Sequence, residues 1–125
     1  MNLTVTNIQH KDAAKFLVEQ LAITFPATAL VIVPRVRFSE PIDELKHAFN
    51  HTDSFDEVAK WNSINQRMTC CGADVSIRTP DGLEMLRGLR FSWIWSTVPM
   101  KQLPRIAIAA QYFEPPYIRF ILSEE

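Results

Sequence analysis

Apolar residues in the first third of the chain recur with the spacings of strands and helices in turn. Residues 3–8 predict a short strand, and residues 11–22 predict a helix because their apolar positions fall on one stripe of a 3.6-residue period. The uninterrupted, β-branched run over residues 28–33 predicts a strand that is covered on both faces. Beyond Pro34, which interrupts strand pairing, the alternation of residues 35–38 suggests that this strand continues.

Two helix starts follow this strand. A capping hydroxyl at Ser39, followed by an acid and a proline, predicts a helix that runs to about Phe49. Ser54 and Glu57, three residues apart, form a capping box ahead of apolar residues at helical spacing. We therefore expect a third helix, which ends near Gln66.

The second half of the chain alternates between apolar and polar residues with a period of two. This pattern predicts strands over residues 69–78, 83–96, 106–113 and 117–122, with an irregularity at Gly88. Short turns between these segments indicate an antiparallel meander.

The predicted elements together define a fold class. We expect an α+β domain in which three helices pack on one face of a curved, mainly antiparallel sheet of about five strands. Neither an internal repeat nor a linker composition interrupts the pattern, so residues 1–125 are predicted to form a single domain.

Composition excludes several classes of protein. The 125 residues are 47% hydrophobic and 22% charged with a net charge of −1, which argues against a disordered chain and against a uniformly basic nucleic-acid-binding surface. The chain opens without a secretory leader pattern, and its apolar runs are far shorter than a membrane helix requires. The adjacent Cys70 and Cys71 are expected to be reduced thiols, so we predict a cytoplasmic protein that has no membrane contact.

Motifs for catalysis or cofactor binding are sparse. His47 and His51, four residues apart and close to Asp53, are weak candidates for metal ligands, although histidines are also common at helix ends. The sequence lacks a nucleophile elbow and a glycine-rich phosphate loop, so we assign no catalytic residue and no cofactor, and lean against an enzyme.

Arginines recur on the polar positions of the predicted strands. If those faces coincide, one side of the sheet presents a set of five arginines: Arg35, Arg37, Arg78, Arg90 and Arg119. Guanidinium groups bind both carboxylates and phosphates, so this face is our candidate binding site. The alternative is that the arginines cover an exposed sheet face and form ion pairs within the fold.

Aromatic residues form a second candidate site. Phe91, Trp93 and Trp95 share one predicted strand face, and Tyr112 lies on the next strand. Such residues either form the core beneath the helices or line a ligand pocket.

The leading functional hypothesis follows from the absence of linked catalytic groups. We expect a small, non-catalytic binding or inhibitor protein of the accessory, immunity or phage counter-defence type. Its expected partner is another protein, with an acidic surface where the arginines bind, and strand 117–122 as a sheet edge would permit a homodimer. One alternative is a small-molecule-binding or enzymatic α+β cone with an aromatic pocket. Another is nucleotide or RNA binding on the arginine face, with nucleic acid disfavoured but left open.

Overall fold

The computed structural model of the chain describes residues 3–82, 91–99 and 118–123. In chain order the elements are β1 (Leu3–Asn7), α1 (His10–Ile23), β2 (Thr28–Ile32), a 3-10 helix (Arg35–Arg37), α2 (Glu40–Asn50), β3 (Lys60–Asn62), β4 (Arg67–Cys70), β5 (Ala73–Arg78), β6 (Trp93–Ser96) and β7 (Ile118–Leu122).

Within the described residues, the strands form one mixed sheet of seven strands in the order β1-β7-β6-β2-β5-β4-β3. The first five strands in that order run parallel, and β4 is antiparallel to both of its neighbours, β5 and β3. The fold is α+β overall, but the prediction of three helices on a mainly antiparallel sheet of about five strands is wrong. The described residues contain two α-helices. Period-two alternation shows which side chains share a sheet face, and it carries no information about strand direction.

Both faces of the central sheet are buried. α1 and α2 pack on the face that carries Val31 and its register partners Ile77 and Trp95. On the opposite face, Leu30 and Phe120 are 0% exposed. Burial on two faces is the usual environment of parallel strands, and it explains the uninterrupted apolar run of β2.

The predicted third helix, residues 54–66, does not form. Phe55 packs edge to face on Phe49 with ring centroids 4.9 Å apart, which draws the chain back onto α2. Val58, which the predicted helix would have buried beside Phe55, is 72% exposed. The chain then enters β3, so tertiary packing overrides the capping signal at Ser54.

Two other strand predictions are corrected. Residues 35–37 form a 3-10 helix rather than a strand, and the N–H of Arg37 donates to the carbonyl of Pro34. The predicted strand 69–78 is divided into β4 and β5 by a two-residue turn, in which Cys71 and Gly72 both have positive φ.

β7 corresponds to the predicted strand 117–122 but lies inside the sheet, between β1 and β6. Its backbone is therefore paired on both sides, and it offers no edge for a homodimer. The predicted strand 106–113 and residues 83–90 of the predicted strand 83–96 lie outside the described residues. Within the described part of the chain, no helix has the length and apolar character needed to cross a membrane.

Candidate functional site

The carboxyl ends of the five parallel strands meet at one edge of the sheet. β1 leads there to His10, β7 to Ser123, β6 to Thr97 and β2 to Val33. Among the strands of residues 3–82, 91–99 and 118–123, the one that follows β2 is β3, at one edge of the sheet, whereas the one that follows β6 is β7, on the other side. Open sheets with parallel strands bind ligands where neighbouring strands diverge in this way, so the crevice between β2 and β6 is a candidate site.

A small cavity of about 20 Å³ lies at this crevice. Val33 and Pro34 line it from the β2 side and Thr97 from the β6 side. The rest of its wall consists of one basic ring, one acidic, one cationic and one apolar side chain: His10, Glu40, Arg37 and Pro41. A volume of roughly 10–15 Å³ is sufficient for one water molecule. The cavity therefore matches a water molecule or a single ion in size, and it is too small for an organic ligand.

Three potential metal ligands converge beside the cavity. One ligand atom each from His10, Glu40 and Glu44 lies within 4.8 Å of the other two, and His10 Nε2 is 3.5 Å from Glu44 Oε1. Ligand atoms around a Zn²⁺ ion with bonds of about 2.0–2.2 Å are separated by roughly 3–3.5 Å. Side-chain adjustment of about an ångström would therefore bring the three groups to coordination distance.

The positions of the two glutamates follow from the helix that carries them. Glu40 and Glu44 are one turn apart on α2, so they project from the same side of the helix. Glu40 lies in the first turn, where the helix dipole stabilises a carboxylate. The helix alone thus explains an acidic pair, and the approach of His10 from the start of α1 makes the cluster a candidate metal site.

The His10 ring is oriented by two groups behind it. Its Nδ1 is 3.4 Å from Ser123 Oγ, which accepts a hydrogen bond from Trp95 Nε1 at 2.6 Å. The ring also lies against Trp95, with centroids 6.3 Å apart. A metal-binding histidine usually donates its second ring N–H to such a partner, and the contact with Ser123 leaves Nε2 directed at Glu44.

The electrostatic environment of Glu44 favours a cation. Burial raises the pKa of this carboxyl, the His10 ring lowers it, and the neighbouring Glu40 raises it further, with a net increase. A partly buried carboxylate beside a second carboxylate is destabilised in its charged form. A divalent cation would reverse this effect, because it is the largest local charge in any site that holds one.

Ser123 contacts His10, and His10 contacts Glu44. These three residue types also occur in catalytic triads, but the resemblance is limited to their composition. Ser123 is 1% exposed, and its hydroxyl is occupied by the indole N–H of Trp95. A nucleophile must reach its substrate, so Ser123 serves to orient His10.

The structure brings His47 and His51 together without Asp53. The two rings stack with centroids 4.1 Å apart, and His51 Nδ1 contacts the His47 carbonyl oxygen at 2.8 Å. Across residues 3–82, 91–99 and 118–123, Asp53 does not join them in a group as compact as that of His10, Glu40 and Glu44.

Within the described residues, the arginines of the predicted face do not share one face of the sheet. Arg35 and Arg37 lie in the 3-10 helix, and Arg90 is outside the described residues. By strand register, Arg78 lies on the sheet face of Ile32, whereas Arg119 lies on the opposite face, with its Cζ 5.7 Å from the Trp93 ring centre. Arg78 donates to the carbonyl oxygens of residues 65, 66 and 77, which fixes it within the fold.

The aromatic residues Trp93 and Trp95 lie in the hydrophobic core beneath α1. Phe16 packs edge to face on Trp93 at 6.2 Å, and the Trp93 indole N–H donates to Thr24 Oγ1 at 3.2 Å. Phe91 is 5% exposed, and Tyr112 lies outside the described residues. Satisfied indole groups in tight packing are typical of core tryptophans.

Sequence reasoning missed the cluster of His10, Glu40 and Glu44. The available signals were the four-residue spacing of the two glutamates and the position of His10 just after a strand. These signals converge only once β1 and β2 are known to be parallel, because then the segments that follow both strands lie at the same edge.

Comparison of the chain with protein-family models, with curated proteins and with solved structures finds no match.

Proposed function

We propose that the protein binds one divalent transition-metal ion through His10, Glu40 and Glu44. The observation that supports this proposal is the convergence of the three ligand atoms within 4.8 Å of one another. The convergence lies beside an ion-sized cavity, at the edge where sheets of parallel strands bind ligands.

The donor set favours Zn²⁺ among the common ions. One imidazole and two carboxylates suit Zn²⁺ and Mn²⁺, whereas Mg²⁺ and Ca²⁺ prefer oxygen ligands throughout. For a given nitrogen and oxygen site, Zn²⁺ binds more tightly than Mn²⁺. We therefore expect the order of affinity Zn²⁺ > Mn²⁺ > Mg²⁺.

A site with three protein ligands leaves a coordination position open. Zinc sites that bind or activate a further molecule have three protein ligands, whereas structural zinc sites have four. The proposed ion would therefore present a position for water or an exogenous ligand, and the function would be the recognition of that ligand.

Isothermal titration with Zn²⁺ tests the proposal. The wild-type chain should bind one ion, and Glu40→Gln and Glu44→Gln should each weaken binding by about tenfold or more, since a lost ligand costs at least ~1.4 kcal/mol. A His47→Ala/His51→Ala double variant is the matched control, because it removes the other histidine pair and should leave the affinity unchanged. Circular dichroism verifies that each variant is folded.

Two results would contradict the proposal. If the double histidine variant loses Zn²⁺ binding and both glutamine variants keep it, the ion binds to His47 and His51 instead. If all variants bind Zn²⁺ with equal affinity, the cluster is not a metal site, and His10 and Glu44 form only an ion pair.

A second candidate function is the binding of an acidic protein partner. Val36 is 90% exposed and stands between the exposed Arg35 and Arg37 in the 3-10 helix. A large apolar side chain flanked by two cations complements a recess with carboxylates at its rim.

Affinity capture from the native host tests this second candidate with two variants. Val36→Asp should abolish capture of the partner. Ile64→Asp is the control, because Ile64 is equally exposed at 90% but lies in the turn between β3 and β4. Loss of the partner with both variants, or with neither, would contradict recognition by the 3-10 helix.

A further inference from the structure

A groove of about 600 Å³ runs between α1 and α2. Ala14 and Ala48 lie in its wall and are each 5% exposed, so no large side chain fills the space at these two positions. Its charged residues are Lys11 and Lys15 from α1 and Asp43 and Glu44 from α2. The groove is adjacent to the proposed metal site, because Glu44 belongs to both.

The size of the groove matches a small organic molecule. Ligand pockets in proteins generally enclose roughly 300–1,000 Å³. The alanines and the methylene stems of the two lysines form the apolar part of the wall. The lysines are one helical turn apart on α1, so both project toward the same side. An occupant would therefore combine an apolar part with a group that binds to paired ammonium groups.

The charge of the groove depends on the metal ion. The groove is also lined by His47 and His51. With these histidines neutral, the two lysines face three carboxylates once Glu40, a ligand of the proposed ion, is counted with Asp43 and Glu44, so the groove and the metal site together carry a net charge of −1. A divalent ion held by His10, Glu40 and Glu44 would change this net charge to +1, so the region would attract anions, and an open coordination position on the ion would offer a site for an anionic oxygen.

We infer that the groove binds a small organic phosphate monoester, and that it does so only when the metal ion is present. This inference rests on the proposed function. A phosphate monoester carries nearly two negative charges at neutral pH, so the two charges that the ion adds stabilise it more than they stabilise a monoanion. Lysine ammonium groups bind phosphate as point charges, and a metal ion neutralises phosphate oxygens in the same manner. A carboxylate carries half that charge and should bind less tightly.

Calorimetry with phenyl phosphate, whose ring represents the apolar part, tests the inference. Saturating Zn²⁺ should tighten phenyl phosphate binding by about tenfold or more, and by linkage phenyl phosphate should tighten Zn²⁺ binding by the same factor. Benzoate should show a smaller enhancement, and benzyl alcohol none. The same titrations on the Glu44→Gln variant should show no effect of Zn²⁺.

Lysine variants separate the inference from the proposed function. In the Lys11→Gln/Lys15→Gln variant, Zn²⁺ should no longer tighten the binding of phenyl phosphate. The affinity of this variant for Zn²⁺ should stay within about threefold of the wild-type affinity, because exposed charges act weakly on one another in water. Lys60→Gln, which removes an exposed lysine on β3, should behave as the wild type.

Each outcome has one consequence. Zn²⁺ binding with no effect on phenyl phosphate overturns the inference and leaves the proposed function intact. Absence of Zn²⁺ binding overturns both. An equal enhancement for benzoate overturns the choice of phosphate.

Discussion

Cys70 and Cys71 are neighbours in sequence but have different environments. Cys70 is 3% exposed, and its thiol donates to the carbonyl oxygen of Glu57 at 3.3 Å. Burial raises the pKa of Cys70 to about 11, and a hydrogen bond with the Cys71 side chain adds to the increase. Cys71 is exposed at the turn between β4 and β5. The two thiols should therefore differ in reactivity, because the thiolate is the reactive form.

Reaction with a thiol reagent such as 5,5′-dithiobis(2-nitrobenzoate) at about pH 8 should show one rapid thiol per chain. That thiol is Cys71, so Cys71→Ser should remove the rapid phase and Cys70→Ser should retain it. The slow thiol should react faster only as the pH approaches its pKa of about 11. Two equal rapid phases in the folded wild-type chain would contradict the assignment.

At the scale of residues, the sequence predicts neighbours along a helix and misses neighbours across the sheet. The approach of His47 to His51 follows from a spacing of four residues, and the structure confirms their proximity. The approach of His10 to Glu44 joins positions 34 apart and depends on strand direction. No local pattern records that direction.

At the scale of elements, the turn between β4 and β5 depends on a backbone conformation that favours glycine. Gly72 has φ +87, a region that side chains disfavour, and a Cβ added there would meet no atom within 4 Å. Substitution at this position therefore tests backbone strain without steric overlap.

Gly72→Ala should lower the free energy of unfolding by about 1–2 kcal/mol, the cost of the left-handed region for an L-residue. Gly82→Ala is the matched control, because its Cβ would meet neighbours only at 3.8 Å and no positive φ applies. It should change stability by less than about 0.5 kcal/mol. Urea denaturation measures both, and an equal loss in the two variants would contradict strain at Gly72.

Local signals predicted elements well where packing agreed with them. α1, α2 and β2 lie close to their predicted bounds, because each has a clear apolar stripe or run. The helix prediction for residues 54–66 is wrong because the contact of Phe55 with Phe49 stabilises the chain more than a helix would. Val58, an apolar residue of that predicted helix, remains exposed. Capping signals are worth only about 1 kcal/mol, so a buried aromatic contact outweighs them.

At the scale of the whole molecule, two serines show that a polar residue in an alternating segment need not face solvent. Ser96 in β6 and Ser92 just before it are both 0% exposed. Their hydroxyls donate to the carbonyls of Pro26 and Val98, so each is satisfied within the fold. Buried serines that alternate with apolar residues thus give the same pattern as a strand with one solvent-facing side, which is typical of antiparallel sheets.

The parallel arrangement has a functional consequence, because it collects groups that are distant in sequence at one edge. β1, β2 and β7 deliver His10, the start of α2 and Ser123 to the same crevice. An antiparallel meander would have distributed these segments over two edges. The proposed metal site is therefore a product of topology, and it depends on the sheet order.

Diffraction at the zinc absorption edge, from crystals of the protein grown with Zn²⁺, tests the proposed metal site. An anomalous difference peak bonded to His10 Nε2 and to carboxylate oxygens of Glu40 and Glu44 is the predicted result, with bonds of about 2.0–2.2 Å. A peak at His47 and His51 alone, or none at the carboxyl edge of the parallel strands, would contradict it.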